Sequence, residues 1–152
     1  MIITFIGHGS LYDRDNILFE KIKNAILKNI KSQEQTLFYC GGYGDFDNLC
    51  AKASRSIAEQ NTNCEVVFVT PYITEAQQKK IKFFIDTKIY DSAVYPPLEN
   101  IHPKFAISRR NKWMIEQADL IIAYVDHTYG GAYKTLEYAY KRQKNIINLA
   151  EL

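Results

Sequence analysis

The sequence is poor in the features that mark secreted, membrane-spanning and nucleic-acid-binding proteins. It has three cysteines without a C-x-x-C pair, and no apolar run near the ~20 residues of a membrane helix. The N-terminal apolar run is short and has no basic segment before it, unlike a signal peptide. A net charge of +2 gives no electrostatic reason to expect nucleic acid or an anionic membrane as a partner. These absences predict a cytoplasmic protein with reduced cysteines.

What is present predicts one α/β domain over residues 1–152. Apolar runs ending at glycine or proline alternate with amphipathic stretches from one end of the chain to the other. The predicted strands are 2–7, 36–40, 64–71, 88–95, 119–125 and 145–149, and the predicted helices are 15–31, 46–57, 74–84, 103–117 and 130–143. This alternation indicates a Rossmann-like doubly wound fold, a mainly parallel sheet of five to six strands with helices on both faces.

Three glycine-rich turns follow predicted strands and should therefore lie at one edge of the sheet. In open α/β sheets ligands bind beyond the carboxyl ends of the strands, where glycine allows close approach and a helix N-terminus attracts anions. The chain has no complete G-x-G-x-x-G fingerprint and no P-loop, so the turns indicate a phosphate-bearing ligand without naming it. The candidate ligand-binding residues in these turns are Gly7, His8, Gly9, Gly41, Gly42, Gly44, Asp45, His127, Gly130 and Gly131.

Histidine spacing does not predict a metal centre. His8, His102 and His127 are far apart in the sequence and fit no recognised pattern of metal ligands. We therefore expect neither a metal nor another cofactor. His8 and His127 remain candidates for ligand contact because both lie in turns on the predicted ligand side of the sheet.

Two further groups of residues have both a structural and a functional interpretation. Arg109 and Arg110, in a predicted helix, are either a solvated basic face or an anion-binding pair, with Asn111 beside them. Glu137 either pairs with Lys141 on the helix surface or faces a bound sugar as a catalytic carboxylate.

Several motifs together resemble the SLOG superfamily, with the best match in its DUF1273-like, YpsA-type group. They are "TFIGHGS" near the start, "FYCGGYGDFD" in the second turn, "YPPLE" (95–99), and "SRRNKWMIEQADLIIAYV" (108–125) followed by "GGAYKTLEYA" (130–139). The order and spacing of these motifs agree over nearly the whole chain. The resemblance implies a nucleotide-ligand fold.

The superfamily includes LOG-type phosphoribohydrolases, whose signature is P-G-G-x-G-T-x-x-E. Gly130, Gly131 and Glu137 match that signature. Tyr129 stands at its proline, Tyr133 at its third glycine and Lys134 at its threonine, while Thr135 falls one place late. The arginine upstream of the signature in LOG enzymes falls on Arg110, and Asn111 replaces the lysine that follows it. The resemblance implies catalytic roles for Glu137 and Arg110, and ligand contacts from Arg109, Asn111, Lys134 and Thr135.

These residues leave several functions open. The main expectation is a nucleotide-type small molecule bound at the carboxyl edge of the sheet, with cleavage of its N-glycosidic bond as an activity. The alternative is a non-catalytic sensor of a nucleotide signal that acts with a separate partner. Weaker alternatives are a nucleoside deoxyribosyltransferase-like enzyme and DNA association as in DprA-type proteins, which the near-neutral charge opposes. By analogy with LOG enzymes, a homodimer is expected.

Overall fold

The structure is a computed structural model that describes residues 1–11 and 16–151. Its strands are β1 (Ile2–Gly7), β2 (Thr36–Cys40), β3 (Cys64–Val69), β4 (Ser92–Val94), β5 (Leu120–Tyr124) and β6 (Ile146–Asn148). Its helices are α1 (Ile17–Leu27), α2 (Asp45–Ala58), α3 (Glu75–Asp86), α4 (Ala106–Gln117) and α5 (Gly130–Lys141). Short 3₁₀ turns span Pro103–Phe105 and Leu149–Glu151. Within the described ranges, every helix is too short or too polar to cross a lipid bilayer.

All six strands are parallel and lie in the order β4-β3-β2-β1-β5-β6. Alternate residues of a strand face opposite sides, so Phe5 packs with α1 and α2 whereas Ile6 packs with α4 and α5. The central strands are buried on both faces, which explains their nearly continuous apolar sequence. The predicted doubly wound α/β fold is confirmed.

The chain reverses its direction across the sheet between β1 and β5. Strands β1 to β4 proceed outward on one side, and the long connection through α4 returns the chain to the other side of β1. The last residue of β1, Gly7, pairs with Tyr124 at the end of β5. This switch point is where an open α/β sheet leaves a crevice for a ligand.

Local backbone chemistry explains where the predicted bounds were wrong. The first helix starts only at Ile17, after Asn16 in a left-handed conformation (φ 57°), and the predicted start at residue 15 lies outside the described residues. The predicted strand 88–95 shortens to Ser92–Val94. Lys88 is at φ 59°, and the N–H groups of Ile89 and Tyr90 donate to the Phe84 carbonyl in the turn that ends α3. Thr74 caps the start of α3, since its hydroxyl accepts the Gln77 N–H at 3.2 Å.

The packing of α1 supports a stability prediction. Ile22 is completely buried against the sheet, whereas Ile17 on the same helix is 55% exposed. We expect Ile22→Ala to lower the free energy of unfolding by about 2–5 kcal/mol because it leaves a cavity. The matched Ile17→Ala variant should change it by less than about 1 kcal/mol. Urea denaturation of both variants measures the difference, and equal losses would contradict this account of the core.

Candidate functional site

A cavity of about 490 Å³ lies at the carboxyl edge of the sheet, between the end of β1 and helices α4 and α5. This volume is in the range of small-molecule pockets. It coincides with the switch point between β1 and β5, where the topology leaves a crevice. Of the residues predicted from the sequence, the cavity brings together Gly7, Arg110, Asn111, Gly131, Lys134 and Thr135.

The charge around this cavity is mainly positive. Lys104, Arg110 and Lys112 line it from the α4 side, and Lys134 lines it from α5. Asp47 is the one carboxyl group among the lining residues that the structure describes. The net positive charge of the lining favours an anionic occupant.

Arg110 forms the buried side of the cavity next to β2 and β3. Its side chain is 1% exposed, so the interpretation as a solvated basic face is wrong for this residue. Its Nη1 donates to the carbonyls of Gly41 (2.8 Å) and Val69 (2.7 Å), and its Nε donates to Asn111 Oδ1 (2.9 Å). Arg110 therefore links α4 to the ends of two strands, which the sequence did not predict.

The remaining terminal nitrogen of Arg110, Nη2, makes no hydrogen bond within residues 1–11 and 16–151. No carboxylate of those residues lies within 4 Å of the guanidinium either. The guanidinium keeps its charge under all ordinary conditions. It therefore offers a free, charge-assisted donor to the cavity.

The neighbouring Arg109 is different. It is exposed and lines a smaller cavity of about 290 Å³ on α4, together with His102, Phe105 and Lys112. The solvated interpretation fits Arg109, and the structure does not place it in the main cavity.

Asp47, like Lys104 and Lys112, lines the cavity and was missed by the sequence interpretation. Its Oδ2 accepts the Tyr43 N–H at 3.3 Å, in the turn between β2 and α2. Burial raises the pKa of its carboxyl to about 6, although the Arg110 charge and the Tyr43 N–H lower it. The sequence analysis chose Asp45 from the same motif, but Asp45 is exposed and its Oδ2 accepts the Leu11 N–H at 3.0 Å. Asp45 and Asp47 are two positions apart on α2, and this difference in position turns Asp47, but not Asp45, toward α4.

The glycines of the three turns fall into two groups: some have closely packed neighbours, and others face open space. A Cβ on Gly7 would lie 2.1 Å from the Phe46 ring, and a Cβ on Gly44 (φ 94°) would lie 2.9 Å from Gly9 Cα. These glycines are required by the protein's own packing. Gly130 and Gly131 face open space, with no heavy atom of the described residues within 4 Å of an added Cβ.

The start of α5 is open toward the cavity. Tyr129 precedes the helix and supplies no side-chain hydrogen bond to its first N–H groups. Gly131 and Ala132 of this first turn line the cavity. The Thr135 hydroxyl also lines it and donates back to the Gly131 carbonyl at 2.9 Å. The first turn therefore presents free N–H groups and a positive dipole end.

Glu137 is not brought into the cavity. Its side chain is exposed, and it is not among the lining residues. Its charge and a hydrogen bond to it raise the pKa of Tyr133, one turn earlier on α5. The catalytic role implied by the resemblance stays a prediction, without support from the position of this carboxylate.

His8, Asp126 and His127 form a separate cluster that joins the loops after β1 and β5. Asp126 Oδ1 lies 3.1 Å from His8 Nε2 and 2.7 Å from His127 Nδ1, and possible ligand atoms of all three lie within 4.8 Å. The imidazole rings are stacked, 3.9 Å apart with planes at 11°. Imidazole lone pairs lie in the ring plane, so stacked rings cannot direct both toward one ion. Burial and then the charge of His127 lower the pKa of His8. The cluster connects the two loops at the switch point.

The raised pKa of Asp47 predicts a pH-dependent stability. The folded chain keeps this proton up to about pH 6, whereas an unfolded chain releases it near pH 4. The contribution of Asp47 to the free energy of unfolding therefore falls as the pH rises from about 4 to 6, and it stays low above 6. We expect the stability difference between Asp47→Asn and wild type to shift toward the variant across this window. Urea denaturation from pH 4 to 8 measures it, and a constant difference would refute the assignment.

Comparisons with known proteins identify a shared fold. No protein-family model matches the chain, and no curated protein sequence matches it. The chain is similar to the solved structure of TM1055, with a TM-score of 0.54 and 13% identity over 95% of this chain and 71% of that one. It is also similar to DNA processing protein A (DprA) from Streptococcus pneumoniae, with a TM-score of 0.57 and 15% identity. That alignment covers 95% of this chain and 48% of DprA, so the chain spans about half of that protein. At these identities the likeness concerns the Rossmann-like α/β fold alone.

Proposed function

We propose that this protein binds a phosphorylated small molecule of the nucleotide type in the cavity between α4 and α5. The observation that carries the proposal is the free Nη2 of buried Arg110, in a cavity that three lysines also line. A buried cationic donor with no carboxylate of the described residues within 4 Å is unusual, because charges in protein interiors are ordinarily paired. A ligand acceptor would supply the missing hydrogen-bond partner of Nη2, and the negative charge of its phosphate would balance the positive lining of the cavity.

The phosphate is proposed to lie at the start of α5. There the uncapped N–H groups of the first turn, the Lys134 ammonium and the positive dipole end converge on the cavity. Helix N-termini of this kind are common phosphate-binding sites in α/β proteins. The order of the sequence motifs and the α/β fold support the further proposal that the chain is a SLOG-type protein of the DUF1273-like group.

The position of Glu137 favours nucleotide binding over nucleotide hydrolysis as the function. Cleavage of an N-glycosidic bond by this residue needs its carboxylate at the sugar, yet Glu137 is exposed and lies outside the cavity lining. The same geometry weighs against a deoxyribosyltransferase-like reaction through Glu137. A sensor that holds a nucleotide intact, as a homodimer or with a separate partner, agrees better with this arrangement.

The role of the cavity lysines can be tested with a matched pair of variants on α5. Lys134 lines the cavity, whereas Lys141 is an exposed lysine in the last turn of the same helix. We expect Lys134→Ala to weaken binding of nucleoside 5′-monophosphates about tenfold or more, through loss of a charge-assisted hydrogen bond. Lys141→Ala, which removes the same charge, should leave the affinity within about twofold. Isothermal titration calorimetry with the adenosine, guanosine, cytidine and uridine compounds provides the measurement. If none of them binds to the wild-type protein, the proposal is wrong.

The position of Glu137 leads to a separate prediction. We expect Glu137→Gln to bind the same nucleotides as wild type within about twofold, and to release the same amount of free base. Chromatography of the incubated nucleotides measures base release for both proteins. A wild type that releases base and a Glu137→Gln variant that does not would restore Glu137 as the catalytic residue.

A further inference from the structure

The β2 side of the cavity carries a hydrogen-bond donor and an acceptor on either side of one glycine. A Cβ built on Gly41 would lie 3.0 Å from Asp47 Oδ2 and 3.2 Å from Arg110 Nη2. The two side chains do not form an ion pair within 4 Å, so a gap separates them. Because Gly41 has no side chain, this gap stays open. Gly41 also has no positive φ, so the need for glycine at this position is steric.

Each of the two groups has unused hydrogen-bonding capacity. Arg110 Nη2 has no acceptor within the part of the chain that the structure describes. Asp47 Oδ2 accepts one backbone N–H, and no hydrogen bond of the described residues reaches its other oxygen. An acceptor–donor pair of this kind matches the edge of a purine or pyrimidine, which presents a ring or exocyclic acceptor beside an N–H donor.

An aromatic ring lies on the same side. The Tyr43 ring is 5.5 Å from the Arg110 guanidinium carbon, is 41% exposed and lines the cavity. An exposed ring beside paired polar groups is the usual platform for a nucleobase, because every base has a π face. Tyr129, although more exposed, lies outside the cavity lining.

The two ends of the cavity are separated by a defined distance. The Gly41 turn follows β2 and the start of α5 follows β5, and β1 lies between these strands. Two interstrand spacings place the ends of β2 and β5 about 10 Å apart. That separation is comparable to the length of a nucleoside monophosphate from its phosphate to the edge of its base.

We infer that Asp47, Arg110 and Tyr43 form a nucleobase subsite, so that the ligand is a nucleoside monophosphate oriented with its base at β2 and its phosphate at α5. This rests on the proposed function, because it assumes that the phosphate binds at α5. It assigns Arg110 to the base rather than to the sugar or the phosphate.

The experiment compares two probes, a nucleoside 5′-monophosphate and ribose 5-phosphate, by calorimetry. Both carry the phosphate, and only the first carries a base. Wild type should bind at least one of the four monophosphates about tenfold or more tightly than ribose 5-phosphate. Asp47→Ala and Gly41→Ala should each lower that ratio at least about threefold, with the Tyr43 contribution retained. Their affinity for ribose 5-phosphate should stay the same, or rise in Asp47→Ala because a negative charge near the anion is removed.

Matched controls keep the result interpretable. Glu59→Ala removes an exposed carboxylate at the C-terminal end of the same helix α2, and it should preserve the wild-type ratio. Tyr43→Phe should also preserve most of the ratio, whereas Tyr43→Ala should lower it through loss of stacking.

The possible outcomes separate the two proposals. Ribose 5-phosphate binding with no preference for any nucleotide would overturn the base subsite and leave phosphate binding at α5 intact. A preference that is as large in Asp47→Ala and Gly41→Ala as in wild type would overturn the subsite as well. If these variants lose binding of both probes to the same extent, the cause is structural damage rather than loss of base recognition. That result would also reject the base subsite. If wild type binds neither probe, the proposed function fails together with the subsite.

Discussion

The guanidinium of Arg110 holds the candidate site together. Through one nitrogen it joins α4 to the carbonyl groups of Gly41, just after β2, and of Val69, at the end of β3. Burying a cation costs several kcal/mol unless hydrogen bonds compensate. Here the compensation comes from neutral carbonyl and amide oxygens, so the positive charge is solvated but not neutralised. The same side chain therefore both connects α4 to the sheet and attracts anions.

The rest of the site depends on the topology around this arginine. The chain crosses from β4 back to β5 through α4, which brings Arg110 over strands that precede it by 41 and 69 residues. The same crossing opens the crevice between β1 and β5, and α5 closes its far side. Asp47 lies beside Arg110 at the β2 side of the cavity, and Lys134 lines it from α5.

The sequence predicts most of the fold because the central strands and α1 follow the apolar periodicities that packing requires. The errors fall at element ends, such as Lys88, where a left-handed turn is invisible to periodicity. For the site, glycine at strand ends correctly indicated the edge of the sheet. It could not distinguish Gly7, which makes room for Phe46, from Gly131, which faces open space. Burial decides whether Asp45 or Asp47, and Arg109 or Arg110, enters the cavity, and burial depends on helix orientation that neighbouring sequence does not encode.

The cavity is assembled from segments that lie far apart in the chain: the end of β1, the turn after β2, helix α4 and the first turns of α5. No contiguous fragment contains it, so it exists only when the sheet has formed across β2, β1 and β5. A molecule held there is coupled to the cooperative folding equilibrium of the whole chain, and its occupancy adds to global stability in proportion to the logarithm of its concentration. Proteolysis that requires unfolding of the chain would then slow as the concentration of such a molecule rises.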